Sequence, residues 1–376
     1  KKDFLEILEN NFMKVYEAKS ENLAILQEFI APQEQFCVLL AEKIRKNSQN
    51  LHFLSEEENP QNAEQIKGVF FFDGTLLFCL PENVQNDYYK QEIKCFLVDK
   101  NVHCIIGKKE WAVFIESILQ ELGKSANPNY CTTYNLMTLK EDDLNFPPEK
   151  LSFEDEIRRC SIDDFELLYD LQKMYVSEER IAPKAEITEN YLKADLLKIL
   201  KHQLAFVLLS DMEPVAKINT NAIGFNYIQI GGVFTHPLYR QNYYAWHLFC
   251  VLLGRIFRGN KNPCLFVKEK NLAAHNLYER IGFNRFARSV FDQYYTFHNV
   301  FIYMMPDGAL VSLMPTKCRG SEIFINGQPV VEYDTQDILR GNTGETGARE
   351  DFIDDLKARV KGLPPEIQKN LLSKNP

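Results

Sequence analysis

The sequence predicts an α/β protein in which a mixed central sheet with helices on both faces occurs twice, followed by a tail of one hairpin and one helix. Three observations carry this. From Ile157 to residue 305 the apolar periodicity alternates in the order β, α, α, β, β, β, α, β, α, β, which sets helices on both sides of a sheet. A shorter run of similar order precedes residue 147. Between them, residues 141–150 (E-D-D-L-N-F-P-P-E-K) combine tandem prolines with a charge run, the composition of a domain boundary. The expected divisions are 1–147, 148–305 and 306–376.

Residues 3–47 read as helices, with Phe4, Ile7, Leu8 and Phe12 at helical spacing. Two β-rich runs then meet at Asp73-Gly74, a hairpin signal because both turn positions favour positive φ. The apolar runs 94–98 and 102–106 read as short strands, and Trp111, Ile115, Ile118 and Leu122 mark a helix. Residues 134–139 form another strand. After the boundary come a strand ending at Cys160, helices over 163–175 and 190–200, and strands at 205–209, 215–220 and 227–235. A helix from about Tyr244, a strand at 264–267, a helix from Asn271 and a strand at 300–305 complete the second half. The tail carries a hairpin turning at Asn326-Gly327 and an amphipathic helix with Phe352, Ile353, Leu356 and Val360 on one face. That face fits a neighbouring element or a second copy of the chain, which leaves a homodimer open.

A chain of 376 residues suits two or three domains, and 45% hydrophobic residues suffice for substantial cores. The formal net charge of -9 argues against nucleic acid or an anionic membrane as the main partner, since both need a concentrated basic surface. It suits a cationic partner such as an amine, and equally plain solubility. Nine cysteines stand singly, with no C-x-x-C and no H-x-x-x-H. This favours reduced thiols in a cytoplasmic setting and no structural metal site. No apolar run approaches membrane-spanning length.

The densest signal lies in residues 230–283. I-G-G-V-F-T-H-P-L-Y-R-Q-N-Y-Y-A ends a strand and opens a helix; C-L-F-V is a strand; and K-N-L-A-A-H-N-L-Y-E-R-I-G-F is an Asn-led helix with a Tyr one turn from its end and Gly-Phe after it. Together these resemble the cofactor half of the GNAT superfamily of N-acetyltransferases. The whole span to about residue 305 resembles two-domain members whose N-terminal half has lost its motifs. The resemblance implies tandem GNAT-like domains, acetyl-CoA as co-substrate, and transfer of the acetyl group to a primary amine on a small molecule or a peptide. A non-catalytic GNAT-fold module that binds or senses acyl-CoA is the alternative.

Several residues acquire expected roles from that resemblance. Arg240, Gln241, Asn242, Tyr243, Tyr244 and Ala245 occupy the pyrophosphate loop, where backbone N–H groups at a helix N-terminus receive the anion. Tyr243 stands where the family has its central Gly, and it serves that loop only if its φ is ordinary and its Cβ turns away from the ligand. Val233, Phe234 and Thr235 would line a gap between splayed strands filled by the pantetheine arm, with N–H groups at Phe234 and Thr235 toward the thioester carbonyl. Asn271 would cap its helix and touch the arm, with Ala274 on the same face. Tyr278 would hand its proton to the departing thiolate, or is a core aromatic. Glu178 and Glu179 would deprotonate the amine, or form a solvated acidic turn. Direct attack of a neutral amine on a thioester needs no nucleophile from the protein, and no Ser-His-Asp set is evident.

Overall fold

A computed structural model describes residues 13–81, 87–124, 127–179, 188–285, 299–304, 310–313, 323–325 and 328–331. The first half runs β1 (Lys14–Glu17), α1 (Leu23–Ile30), α2 (Val38–Arg45), β2 (Leu51–Ser55), β3 (Ile66–Phe72), β4 (Thr75–Cys79), α3 (Asp87–Leu97), β5 (Cys104–Ile106), α4 (Lys109–Glu121) and β6 (Asn127–Thr138). The second runs β7 (Asp155–Arg159), α5 (Phe165–Glu178), α6 (Glu189–His202), β8 (Ala205–Ser210), β9 (Glu213–Ile223), β10 (Tyr227–Thr235), α7 (Tyr244–Arg258), β11 (Asn262–Lys268), α8 (Leu272–Ile281), β12 (Asn284–Arg285) and β13 (Asn299–Met304), with β14 (Leu310–Leu313) after it. The order β, α, α, β, β, β, α, β, α, β is thus complete in both halves, including the first, where the sequence shows only a poorer version.

The halves also share their pairing. In each, four antiparallel strands are followed by one parallel step, β4 with β5 and β10 with β11. They are joined by exchange of their last strands. β6 of the first half pairs antiparallel with β11 of the second, while β13 pairs with β6 and β14 with β5. One sheet results, in the order β1-β2-β3-β4-β5-β14-β13-β6-β11-β10-β9-β8-β7, with β12 also on β6. By Cα packing the chain forms two units, Lys1–Lys317 and Cys318–Pro376. The described part of the second unit is the hairpin of β15 (Ile323–Ile325) and β16 (Gln328–Val331), the hairpin expected from Asn326-Gly327.

Local expectations fare unevenly. The Asp73-Gly74 hairpin forms, with Val69 opposite Cys79 and Phe72 opposite Leu76. Residues 94–97 are not a strand but the end of α3. Ile93 and Leu97, both fully buried, sit one helical turn apart and give that face its core contact. Within 3–47 the helical reading is interrupted by β1, which pairs with β2, and residues 3–12 lie outside the described residues, as does the tail helix at 352–360. Cys37, Cys79, Cys95, Cys160, Cys250 and Cys264 carry free thiols. Among the described residues no helix is long and apolar enough to cross a membrane, and no group of His, Cys, Asp or Glu could hold a metal ion.

Two buried carboxylates of the first half tie it to the second. Glu34, fully buried, accepts from the Asn226 backbone N–H at 2.8 and 3.0 Å, from Asn226 Nδ2 at 2.8 Å and from the Tyr227 N–H at 3.0 Å. Glu42 on α2 accepts from Gln203 Nε2 at 3.0 Å and the Ile223 N–H at 3.1 Å. Such charge-assisted bonds tolerate burial because every donor they face is otherwise orphaned. Replacing Glu34 by Ala removes all four of these contacts from a partly buried turn. The expected loss is about 3 kcal/mol in urea unfolding of the full chain; a loss within about 0.5 kcal/mol, the range of ordinary surface changes, overturns the anchor role.

Candidate functional site

The site begins where a strand ladder stops. β10 and β11 pair in parallel from Tyr227/Asn262 to Ile230/Leu265 and no further, although β10 continues to Thr235 and β11 to Lys268. The cause lies on the other side of β10. Against β9, Gly231 pairs with Asn219 and Phe234 with Lys217, so Gly232 and Val233 both stand against the single Ile218. This one-residue bulge bends the strand. Gly232 holds φ +58, and an added Cβ would lie 1.7 Å from Asn219 Oδ1. Only glycine fits there. The Lys217 ammonium donates to the Gly232 carbonyl at 3.0 Å, and the Gly232 backbone also hydrogen-bonds the Tyr175 phenol.

Beyond the last pair a cavity of about 340 Å³ opens. The second half lines it with Asn221, Gln229, Gly231, Gly232 and Val233, with Lys268, Asn271, Ala274 and Tyr278, and with Tyr175 and Glu179. The first half closes its far side with Phe36, Val38, Leu39, Leu77, Phe78 and Ile106. The cavity is therefore composite, polar near the bulge and apolar at the wall supplied by α2, β4 and β5.

Each expected site residue can now be placed. Asn271 caps α8, its Oδ1 accepting from the Ala274 N–H at 3.1 Å, and both line the cavity. Tyr278 lines it as well, one turn further along, its ring edge-on to Phe249 at 5.4 Å and tilted against Phe283 at 6.2 Å. Burial, then Tyr175 and Glu179, push the Tyr278 phenol well above its ordinary pKa, so it keeps its proton. Of the three strand residues, Val233 lines the cavity. Phe234 instead packs its ring on Tyr175, 6.3 Å away, in the core beneath α5 and α6. Thr235 offers its carbonyl to Arg240 Nε at 3.1 Å.

The loop of residues 240–245 leads into α7 outside the cavity lining. Tyr243 is left-handed, with φ 57 and ψ 8, where the sequence analysis required an ordinary φ. A non-glycine residue there costs roughly 1–2 kcal/mol. Its ring meets Trp246 at 6.1 Å, and the Arg280 guanidinium lies 5.7 Å from the ring centre, so the side chain turns back onto the helix rather than over the loop. Gln241 is left-handed as well, at φ 70. Tyr244 hydrogen-bonds Asp155 through its hydroxyl at 3.3 Å, and Asn242 Nδ2 donates to the Tyr239 carbonyl at 3.3 Å. Ala245 sits in the first turn of α7, whose leading N–H groups have no intrahelical partner.

The acidic pair separates. Glu178 binds Arg240 Nη2 at 2.6 Å, an exposed contact that positions the loop and adds little stability. Glu179, about 100° further around the helix, lines the cavity and binds Lys268 Nζ at 2.7 Å. Its backbone carbonyl accepts from the same ammonium at 2.7 Å. Three phenols surround this pair. Burial first, and Glu179 among the further causes, raise the pKa of Tyr134, Tyr175 and Tyr278 alike.

No motif in the sequence marks Tyr134, Tyr175, Asn221 or Lys217, nor the wall from the first half. A local signal existed for Lys268 alone, as the first charged residue after the apolar run of β11, three positions before Asn271. Among the described residues the first half shows no equivalent cleft. Its β4–β5 ladder uses all of β5, to Leu77/Ile106, and the Phe78 ring fills the space beyond, so close that a Cβ on Gly107 would lie 2.5 Å from it. Lys108, where a phosphate loop would begin, is buried with Nζ on Gln33 Oε1 at 3.0 Å and beside the rings of Phe36 and Trp111.

Residues 165–283 match the model of the acetyltransferase (GNAT) family, and that segment is a GNAT domain. The fold is shared with a solved Drosophila protein, at 14% identity over 72% of this chain and 95% of that one, with a TM-score of 0.52. Two further solved structures are more distant. A predicted acetyltransferase from Clostridium acetobutylicum with acetyl-CoA is 19% identical over 35% of this chain and 90% of its own, at a TM-score of 0.31. PaiA N-acetyltransferase from Thermoplasma acidophilum in complex with coenzyme A is 18% identical over 35% and 88%, at 0.28. No curated protein matches the chain by sequence. The chain thus carries a GNAT domain preceded by a half of the same element order whose cleft is filled.

Burial pushes the Lys217 ammonium down to about 7 from an ordinary 10.5, against the upward pull of Asp195 and Cys160. Between those values the unfolded chain holds more protons than the folded one, so this group makes stability rise with pH across the window. Lys217→Met should flatten that rise, read as urea midpoints at the two ends of the window. An unchanged slope means that Lys217 is charged in the fold.

Proposed function

We propose that the chain transfers an acetyl group from acetyl-CoA to a primary amine by direct attack on the thioester. The observation that carries this reading is the early end of the β10–β11 ladder beside Tyr278 and Glu179. A gap lined by glycine backbone, Val233, Asn271 and Ala274 suits a narrow arm that pairs with strand edges. At one end of it, the 240–245 loop and the N-terminus of α7 supply N–H groups and a positive dipole end for a pyrophosphate. At the other, the chamber walled by the first half receives the acceptor.

Acetyl-CoA supplies an activated carbonyl with a good leaving group, and the residues of the chain do the rest. Backbone N–H groups at the bulge around Val233 polarise the carbonyl, held in place from behind by Lys217 on Gly232. Glu179 attracts the acceptor ammonium and takes its proton. Tyr278 delivers a proton to the departing sulfur. Glu178 acts one step removed, by fixing Arg240 against the loop. In this reading residues 148–305 are the acetyltransferase domain, 1–147 a degenerate partner that shapes the acceptor side, and 306–376 an extension. The acceptor is a small-molecule or peptide amine.

Acetyl-CoA at a hundred times its Kd should stabilise the full chain by about 2.7 kcal/mol in thermal or urea unfolding. No stabilisation at saturating concentrations rules the reading out. Given binding, Tyr278→Phe should lower kcat by about a hundredfold with acetyl-CoA affinity unchanged. Loss of affinity with kcat intact refutes the acid role.

A further inference from the structure

The proposed base already holds a primary amine. Lys268 Nζ sits on the Glu179 carboxylate at 2.7 Å and on the Glu179 carbonyl at 2.7 Å, and both residues line the cavity. Its position follows from the splay. Carried past Ile230/Leu265, the register of β10 and β11 sets Lys268 opposite Val233, across the gap that separates the strands. On its other side Lys268 pairs with Tyr134 of β6, so its backbone is fixed by a ladder while its side chain reaches the cleft. The Lys268 side chain is 19% exposed, and the Tyr278 phenol lines the same cavity.

We propose that Lys268 is itself an acceptor, acetylated in place by the chain's own site. This rests on the acetyl-transfer reading above. Nζ gives one proton to Glu179 and, as a neutral amine, attacks the thioester carbon. The N–C bond forms and the C–S bond breaks. Sulfur leaves as a thiol with the phenolic proton of Tyr278, and the second nitrogen proton restores that phenol. Glu179 releases its proton to solvent. The products are Nε-acetyl-lysine at 268 and free coenzyme A. The change removes a positive charge, ends the ion pair with Glu179 and leaves that carboxylate open to an external amine. Lys268 therefore stands in for the substrate ammonium until it is modified.

The full chain incubated with acetyl-CoA is followed by intact mass and by peptide mapping, and acetyl-CoA binding is measured on the same sample by the unfolding shift. The expected result is a single acetyl group at Lys268, formed faster than on any other lysine and slowed about a hundredfold by Tyr278→Phe. Lys268→Arg, which keeps a cation on Glu179, removes the signal. Binding without a label at 268, or a label that Tyr278→Phe leaves as fast, overturns this inference and leaves the acetyl-transfer reading standing. Absence of binding overturns both.

Discussion

The site depends on one interruption, the end of the parallel ladder at Ile230/Leu265. Parallel strands in a buried sheet pair along their shared length, because unpaired N–H and C=O groups away from water are costly. β10 escapes that rule by turning its backbone at Gly231 and Gly232, where Asn219 and Asn221 fill the space that any Cβ would take. Lys217 then satisfies the Gly232 carbonyl from the core side, and the Tyr175 phenol engages the same residue. The bulge is thus fixed from behind, which leaves the edge facing β11 open to a ligand. A buried lysine is an expensive support. Its depressed pKa expresses that cost, and a neutral amine still donates to a carbonyl as well as the bulge requires.

The first half shows what the same topology becomes without that interruption in use. Its β4–β5 ladder runs to the end of β5, and beyond it Phe78 occupies the space and Gly107 gives the ring room. The half has instead become structural. Through β6 it completes the sheet of the second half, and through Glu34 and Glu42 it grips the β9–β10 turn. Because those carboxylates set α2 against the mouth of the cleft, Val38 and Leu39 become its wall. The exchange of strands therefore has a chemical consequence. The cavity has its full lining only when both halves are folded together.

What the sequence reveals is what short-range patterns encode. Asn271 as a cap, the hairpin at Asp73-Gly74 and the left-handed Gly282 ending α8 follow from local backbone preferences. The order of the second half follows from periodicity. Residues 94–97 misled because K-C-F-L is a short apolar run that suits strand and helix alike, and only burial of Ile93 with Leu97 decides it. Strand β1, K-V-Y-E, has no such run, and only its pairing with β2 shows it. The exchange of β6, the grip of Glu34 on Asn226 and the meeting of Glu179 with Lys268 join residues far apart in sequence, and no local pattern announces them. Tyr243 is a different case. The sequence marked it as a departure from the family's glycine, and the backbone keeps the glycine's left-handed shape regardless, with Trp246 and Arg280 holding the ring aside.

The division of labour between Glu178 and Glu179 follows from helix geometry. Neighbours on a helix point about 100° apart, so at the end of α5 one carboxylate meets the loop and the other the cleft. In the proposed reaction Glu179 couples the two proton transfers. While ionised, it is among the causes that hold Tyr278 above its ordinary pKa, after burial and Tyr175, and so keeps the phenol protonated and weakly acidic. Once Glu179 accepts the proton of an amine, its negative charge is gone and that cause disappears. Tyr278 becomes a better acid at the moment the amine becomes a nucleophile. In the proposed reaction the second transfer follows the first, because the base and the acid share the field of one half-buried charge.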